Sequence, residues 1–223
     1  MQRTVLAGLC LALGCSTTHG IRPIGAGNVG VALSLGGPIT EVFGAPIPIP
    51  LTTAGVTIGA TATTDIHAAF HPTAALMFGI GAGEVGASQQ LVAPENARPR
   101  VMADLTIIGA AGDLDPDRAP EGGFRVFVQP TLLAGWDYGK GGEHTAYTGV
   151  TGFVEPGEEF SGIAGLILGN RFGVGRSHVD LELKWLDPWE SAVPIVPVYY
   201  SPGSLGAVEF QVAYGFTFDG GGE

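Results

Sequence analysis

Apolar residues alternate with small or polar residues along almost the whole chain after Asn28, and this pattern limits the possible folds more than any other feature. Successive side chains of a β-strand point to opposite faces of the sheet, so a period of two indicates strands whose faces differ. Clear examples run from Phe124 to Trp136, from Val179 to Trp185 and from Val208 to Phe218. About ten such stretches occur and helical periodicity is hard to find, so the sequence predicts an all-β protein.

The composition indicates that this sheet forms a transmembrane barrel. Only 14% of the 223 residues are charged, whereas the charged fraction of an ordinary soluble domain is about 25%. No apolar run reaches the ~20 residues that a membrane-spanning helix needs, so a chain that crosses the bilayer must cross it as a closed sheet. We therefore expect a single antiparallel transmembrane β-barrel of about ten strands, with about eight or twelve strands as the alternatives.

The predicted barrel turns its apolar side chains towards lipid and its small and polar side chains inwards. A soluble exterior would need more than the ten lysines and arginines of this chain. Aromatic residues near the ends of predicted strands fit the girdles that lie at membrane interfaces. These residues are Trp136, Tyr138, Trp185, Tyr214, Phe216 and Phe218.

The final strand, which ends at Phe218, resembles the C-terminal strand by which bacterial outer-membrane barrels are recognised for assembly. Five residues follow it here, from Asp219 to Glu223, which departs from the usual pattern. The resemblance covers the architecture and indicates no specific family. It implies location in a bacterial outer membrane, with outer-membrane lipid and the barrel-assembly machinery as partners.

The N-terminus has the organisation of a bacterial secretion signal. Arg3 supplies a positive charge, and the apolar stretch from Val5 to Gly14 is too short to span a membrane. The residues before Cys15 resemble the lipobox of bacterial lipoproteins, with Ala12 where that family usually has leucine. The resemblance implies lipidation of Cys15 with acyl chains such as palmitate, and contact with the lipoprotein-sorting machinery. An ordinary secretory signal with incidental cysteines is the alternative.

These features divide the chain into four predicted parts. Residues 1–14 are the signal peptide, 15–27 the lipidated N-terminal segment, 28–218 the barrel and 219–223 a C-terminal tail. The outer loops of such barrels are usually longer than the periplasmic turns. The long outer loops are predicted at roughly Gly36 to Leu51, Pro72 to Ala82, Ala110 to Gly122 and Asp187 to Ser204. Pro46, Pro48 and Pro50 lie in the first of them, where they would interrupt no strand ladder.

Six charged residues lie on the predicted inner face of the strands. They are Asp104, Arg125, Asp180, Glu182, Lys184 and Glu209. Charges survive inside a barrel where they pair or meet water. A barrel of about ten strands is close to the size that side chains can fill. We expect either a salt-bridged network that closes the lumen or a narrow water path.

Several motifs that suggest chemistry are better explained by the strand pattern. Two G-x-G-x-x-G matches, which begin at Gly25 and Gly81, lead into predicted strands and not into the helix that a dinucleotide site requires. His67 and His71 share one face of a strand, where four residues span ~13 Å, so they cannot chelate one metal alone. The acidic run from Asp113 to Asp117 is most simply a solvated loop, with a calcium site as the alternative. The formal net charge of −11 argues against nucleic-acid binding.

The sequence therefore favours a non-enzymatic outer-membrane barrel lipoprotein without a cofactor or metal, which has a structural, binding or narrow passive-pore role. The first alternative is a barrel enzyme that modifies outer-membrane lipid, for which His67, His71, Asp65 and Ser88 are the candidate groups. The second alternative is a soluble lipid-binding barrel that is tethered only by Cys15. It would pack its apolar faces inwards and expose its polar faces.

Overall fold

The computed structural model describes residues 18–42, 45–48, 50–112, 123–156, 161–189 and 205–220. Cys15, the proposed signal peptide and the acidic run from Asp113 to Asp117 lie outside these residues. Within them the chain forms eleven strands and one short helix, α1, at Pro72–Phe78. The strands are β1 Val29–Val42, β2 Ala45–Pro48, β3 Leu51–Gly59, β4 Thr64–Phe70, β5 Gly81–Val92, β6 Arg100–Ala111, β7 Phe124–Tyr138, β8 His144–Glu155, β9 Ser161–Val174, β10 Ser177–Leu186 and β11 Ala207–Phe218.

Ten of these strands close into an antiparallel barrel. Each strand from β3 to β11 pairs with its neighbours in chain order, and β3 pairs with β1. The last strand returns to the first, with a register that runs from Val29 opposite Phe218 to Pro38 opposite Glu209. The predicted fold class is therefore confirmed. One end of the barrel contains the start of β1, the end of β11 and the short turns between strands. We call it the turn end. The opposite end, which carries α1, is the loop end.

The predicted loop from Gly36 to Leu51 is wrong in part, because most of it is a hairpin. β1 continues to Val42, and β2 pairs with it in a register that runs from Ile39 opposite Pro48 to Val42 opposite Ala45. Proline lacks the backbone donor that a central strand needs. Within the described ranges β2 pairs with β1 alone, so it tolerates Pro46 and Pro48. The next predicted loop contains α1, which has proline in its first turn and ends at Gly79 with a φ of 68°.

The outer surface of the barrel is apolar along the strands. Leu33, Leu105 and Leu168 are 58%, 52% and 62% exposed. Burying apolar surface contributes roughly 25 cal/mol per Å², so such a band is unfavourable in water and favourable against acyl chains. The predicted orientation is confirmed, and the soluble alternative with an apolar interior is not supported. A closed sheet with this exterior is the architecture of a bacterial outer-membrane protein.

The interior of the barrel is packed at two levels. Near the loop end, α1 contributes Ala74 to a cluster that also contains Ile80, Ile108, Phe127 and Phe153. The rings of Phe127 and Phe153 stack with centroids 5.0 Å apart. A second buried cluster lies closer to the turn end and consists of Ile21, Met102, Leu133, Tyr147 and Ile167. Among the described residues, no helix is long and apolar enough to cross a bilayer.

Candidate functional site

The chain before β1 enters the barrel and runs along its lumen. Asn28 lies at the turn end, where its side-chain oxygen accepts a hydrogen bond from the Gly220 backbone at 3.0 Å. From there the chain leads inwards, so that Ile21 has no exposed surface and His19 is 7% exposed. We call residues 18–24 the lumen segment.

Arg22 ties the lumen segment to the turn between β7 and β8. Its guanidinium donates to the Asp137 carboxylate at 2.9 Å and to the Thr145 hydroxyl at 2.7 Å. It also donates to the backbone oxygens of Gly142 and His144. Burial lowers the pKa of the Arg22 guanidinium, and the charge of Asp137 opposes that effect. Because arginine titrates far above neutral pH, the guanidinium stays charged and binds the Asp137 carboxylate next to this turn.

His19 reaches the middle of the barrel, where it meets a buried carboxylate. Its Nδ1 lies 3.0 Å from Oε1 of Glu182, and its backbone N–H donates to Oε2 at 3.2 Å. The hydroxyl of Tyr147 donates to the same carboxylate at 3.0 Å, and Lys184 Nζ lies 3.4 Å from it. A buried carboxylate is tolerated where several hydrogen-bond donors surround it. Glu182 therefore serves as the acceptor that binds His19 of the lumen segment.

Ile21 packs against one side of the lumen, between these two polar contacts. Its neighbours Met102, Leu133, Tyr147 and Ile167 come from four consecutive strands, β6 to β9. The space for the Ile21 side chain depends on Gly135, because a Cβ atom there would lie 2.9 Å from Cγ1 of Ile21. Near the turn end, the backbone N–H of Ile24 donates to the Asp65 carboxylate at 3.1 Å. Polar and apolar contacts thus alternate along the segment.

The six charged residues that the sequence assigns to the lumen are all buried in the structure. Their exposures are 9% for Asp104, 7% for Arg125, 2% for Asp180, and 1% each for Glu182, Lys184 and Glu209. Asp180 accepts two hydrogen bonds of 2.7 Å from Arg171, and Arg125 binds Glu155 through two nitrogens. Thr106 donates to Asp104 at 2.8 Å. Lys184 stands opposite Glu209 across β10 and β11.

The six aromatic residues assigned to interfaces divide between the two ends of the barrel. Trp136, Tyr138, Tyr214, Phe216 and Phe218 lie on strand segments near the turn end, and Trp185 lies near the loop end. Tyr214 and Phe218 are 54% and 50% exposed. The indole nitrogen of Trp185 donates to the backbone oxygen of Leu205 at 3.0 Å. An interfacial role for this set stays a prediction.

Sequence reasoning missed the lumen segment and the roles of Asp65 and Asp137 as its hydrogen-bond acceptors. A signal was present in the charges. The six predicted lumen residues contain four carboxylates and two cations. An interior with this excess needs further cationic groups, because an unpaired buried carboxylate is costly. Arg22 supplies such a group from outside the barrel strands, and His19 of the same segment contacts the carboxylate of Glu182.

The described residues contain no group of three or more histidine, cysteine, aspartate or glutamate side chains that could hold a metal ion. Among the candidate enzyme groups, Asp65, His67 and Ser88 line one lumen cavity. His71 Nε2 lies 3.5 Å from the carboxylate of Glu84. All four candidate groups lie on the inner side of the barrel, away from the lipid-facing surface.

No protein-family model matches the sequence. No curated protein matches it either. Among solved structures, the fold is similar to the translocator domain of the autotransporter NalP from Neisseria meningitidis, with a TM-score of 0.41 and 11% identity over 86% of this chain and 88% of that chain. It is also similar to the outer membrane protein OprG from Pseudomonas aeruginosa, with a TM-score of 0.35 and 10% identity over 87% of this chain and 97% of that chain. For outer-membrane expressed OmpT of Vibrio cholerae the TM-score is 0.33, with 11% identity over 76% of this chain and 56% of that chain. These similarities are too distant to assign the chain to a family.

Proposed function

We propose that this protein is a non-enzymatic outer-membrane barrel whose narrow pore is closed by its own lumen segment. The observation that carries the proposal is the complete burial of Ile21 between side chains of β6 to β9. This apolar contact removes the hydrogen-bonding path for water and ions on the side of the lumen that β6 to β9 form. The salt-bridged interior that the sequence suggested then serves as the receptor of the segment.

The closure is reversible in this proposal, because only noncovalent contacts hold the segment. The contacts of Arg22 and His19 are charge-assisted hydrogen bonds, each of which contributes about 1.5–3 kcal/mol when both partners are desolvated. Arg22 and Asp137 are 25% and 22% exposed, so solvent screening reduces their contribution. A ligand that competes for Glu182 or Asp137, or a substitution of Arg22 or His19, would therefore release the lumen segment and open the lumen.

Conductance in planar bilayers tests this proposal. The refolded mature chain with Cys15→Ser should give little current, because the lumen segment blocks the path. A variant that lacks residues 18–24 should show discrete conductance steps. The matched control is Arg98→Ala, which removes an arginine that is 54% exposed in the turn between β5 and β6. Equal currents from the full and the shortened chain, whether large or absent, would contradict closure by the segment.

The predicted lipid anchor and the closed lumen constrain each other. Thr18 lines the lumen cavity beside His19, and it is the third residue after Cys15. Three extended residues span at most ~11 Å, whereas half of the hydrocarbon core measures about 15 Å. An acylated Cys15 would therefore draw the segment out of the lumen. If mass spectrometry finds acyl chains on the mature protein, we expect the acylated form to conduct and the Cys15→Ser form to stay closed.

The position of the candidate catalytic groups supports a role without enzymatic activity. A lipid substrate would have to reach Asp65, His67 and Ser88 inside a barrel that the lumen segment occupies. Lipid profiles should therefore stay unchanged when the gene is deleted. Outer-membrane lipid and the machineries for barrel assembly and lipoprotein sorting remain the proposed partners, on the basis of the C-terminal strand and the residues around Cys15.

A further inference from the structure

A cavity of about 120 Å³ lies beside the lumen segment, and residues of most strands line it, including β4, β5 and β6. Three of its polar residues form one row across these strands, because Asp65 pairs with Ser88 and Ser88 pairs with Asp104. Directly opposite residues of neighbouring strands have Cβ atoms about 4.5–5.5 Å apart. We call the row Asp65, Ser88 and Asp104, together with His67, the acidic pocket.

The charges around the cavity leave this pocket negative. The guanidinium of Arg171 is bound to Asp180, and that of Arg22 is bound to Asp137. Arg100, the cation on β6, also binds Asp137, at the turn end. Of the two remaining histidines at the cavity, His178 lies 3.6 Å from Asp180. The other, His67, has its Nδ1 3.6 Å from the carboxylate of Asp104.

Ser88 supplies an independent sign of a ligand. Its side chain is 3% exposed and lines the cavity. Within the described part of the chain its hydroxyl has no hydrogen-bond partner, although it stands between two carboxylate residues. Buried hydroxyls in folded proteins are nearly always hydrogen-bonded, to protein or to a bound molecule. The hydroxyl is therefore available to a molecule in the cavity.

The back of the pocket is rigidly constructed. His67 lies across Gly86, where an added Cβ atom would come within 2.1 Å of its Nε2. This nitrogen lies 3.1 Å from the Thr106 hydroxyl, which in turn donates to Oδ1 of Asp104 at 2.8 Å. These contacts orient the Asp104 carboxylate. They leave acceptor capacity on it, because an ionised carboxylate has about four lone-pair sites.

We propose that the acidic pocket binds a small primary ammonium compound. An ammonium group has three N–H donors, and the row offers two carboxylates and one hydroxyl as acceptors. The absence of a metal-competent group among the described residues argues against a metal ion here. A water needs about 10–15 Å³ of such volume, so the 120 Å³ cavity has room for about eight to twelve waters or for one small molecule of similar total size.

Calorimetric titration of the refolded barrel in detergent tests this proposal, with methylammonium chloride as the probe. We expect saturable binding, and none with tetramethylammonium, which has the charge without N–H donors. Ser88→Ala should weaken binding about tenfold, and Asp104→Asn at least as much, since hydrogen bonds to charged groups are among the stronger ones. Asp219→Asn, which removes a carboxylate outside the strands, is the matched control and should bind as the parent does.

Three outcomes would overturn the proposal: no saturable binding to the parent barrel, equal binding of tetramethylammonium, or binding that neither variant changes. The shift of gel mobility on heating verifies that each variant is folded. If Asp104→Asn fails that check, Ser88→Ala alone decides, because it removes one oxygen that has no partner in the described structure. The titration requires no current, so its result is separate from the test of lumen closure.

Discussion

At the scale of single residues, glycines decide where the lumen segment can lie. Gly135 faces inwards on β7, and a Cβ atom there would lie 2.9 Å from both Cγ1 of Ile21 and Cγ2 of Thr145. Gly20 lies on the segment itself, and a Cβ atom there would have nothing within 4 Å. An added methyl group would therefore clash with Ile21 at Gly135, whereas Gly20 has room for one.

Gly135→Ala should displace the lumen segment, because overpacking a filled interior costs about 1–3 kcal/mol. The measurement is the rate at which a membrane-impermeant thiol reagent labels Thr18→Cys in the Cys15→Ser barrel. We expect labelling about tenfold faster in Gly135→Ala than in the parent. Gly20→Ala serves as the control and should label at the parental rate. Unchanged labelling in both would argue that Ile21 does not rest against Gly135.

At the scale of elements, closure depends on the seam between β1 and β11. Gly36 lies in that seam opposite Gln211, with a φ of 146°. A Cβ atom on Gly36 would lie 2.1 Å from the backbone oxygen of Phe210, which cannot move without opening the ladder. Gly30 lies in the same seam, but there the nearest atom would be at an ordinary distance of 3.6 Å.

Gly36→Ala should therefore weaken the closed barrel, whereas Gly30→Ala should not. The measurement is the temperature at which the folded band disappears on a gel that is loaded after stepwise heating. We expect a clear drop for Gly36→Ala, since a backbone clash at a positive φ is destabilising beyond the loss of chain entropy. Equal heat resistance of the two variants would show that the seam is not built as described.

At the scale of the whole molecule, the barrel separates lipid-facing leucines from an interior of paired charges. Leu105 lies at the middle of β6 and Leu91 near the turn end of β5, and they are 52% and 58% exposed. The two leucines are similarly exposed but lie at different expected depths in the bilayer. Comparing them therefore tests whether the outer surface of the barrel contacts lipid. The charged neighbour Asp104 points the other way and is buried.

Leu105→Arg should lower the free energy of unfolding from lipid vesicles by about 2–4 kcal/mol, and Leu91→Arg by about 0–1 kcal/mol. The reason is that desolvating arginine costs most at the centre of the hydrocarbon. Denaturant titration of the refolded barrel in vesicles measures both values. Two equally mild effects would indicate that these faces meet water, which would contradict a transmembrane arrangement.

The sequence by itself determined most of the strands, their faces and the membrane environment, although it missed the end of β1 and the whole of β2. In an extended chain each side chain opposes the next, so Leu183 and Glu182 had to face opposite sides whatever the rest of the molecule did. The small number of charges then assigned the apolar side to lipid. These are local properties of the polypeptide, so they can be predicted without knowing any long-range contact.

Only the tertiary structure decided what occupies the lumen. His19 and Glu182 are 163 residues apart, and Arg22 and Asp137 are 115 residues apart. The strand register also brings Asp65, Ser88 and Asp104 into one row. No sequence motif predicts this row. Such contacts follow from closing the sheet, because closure sets which inner faces share the same level. A period of two predicts the face on which a side chain lies, but it contains no information about its partner across the barrel.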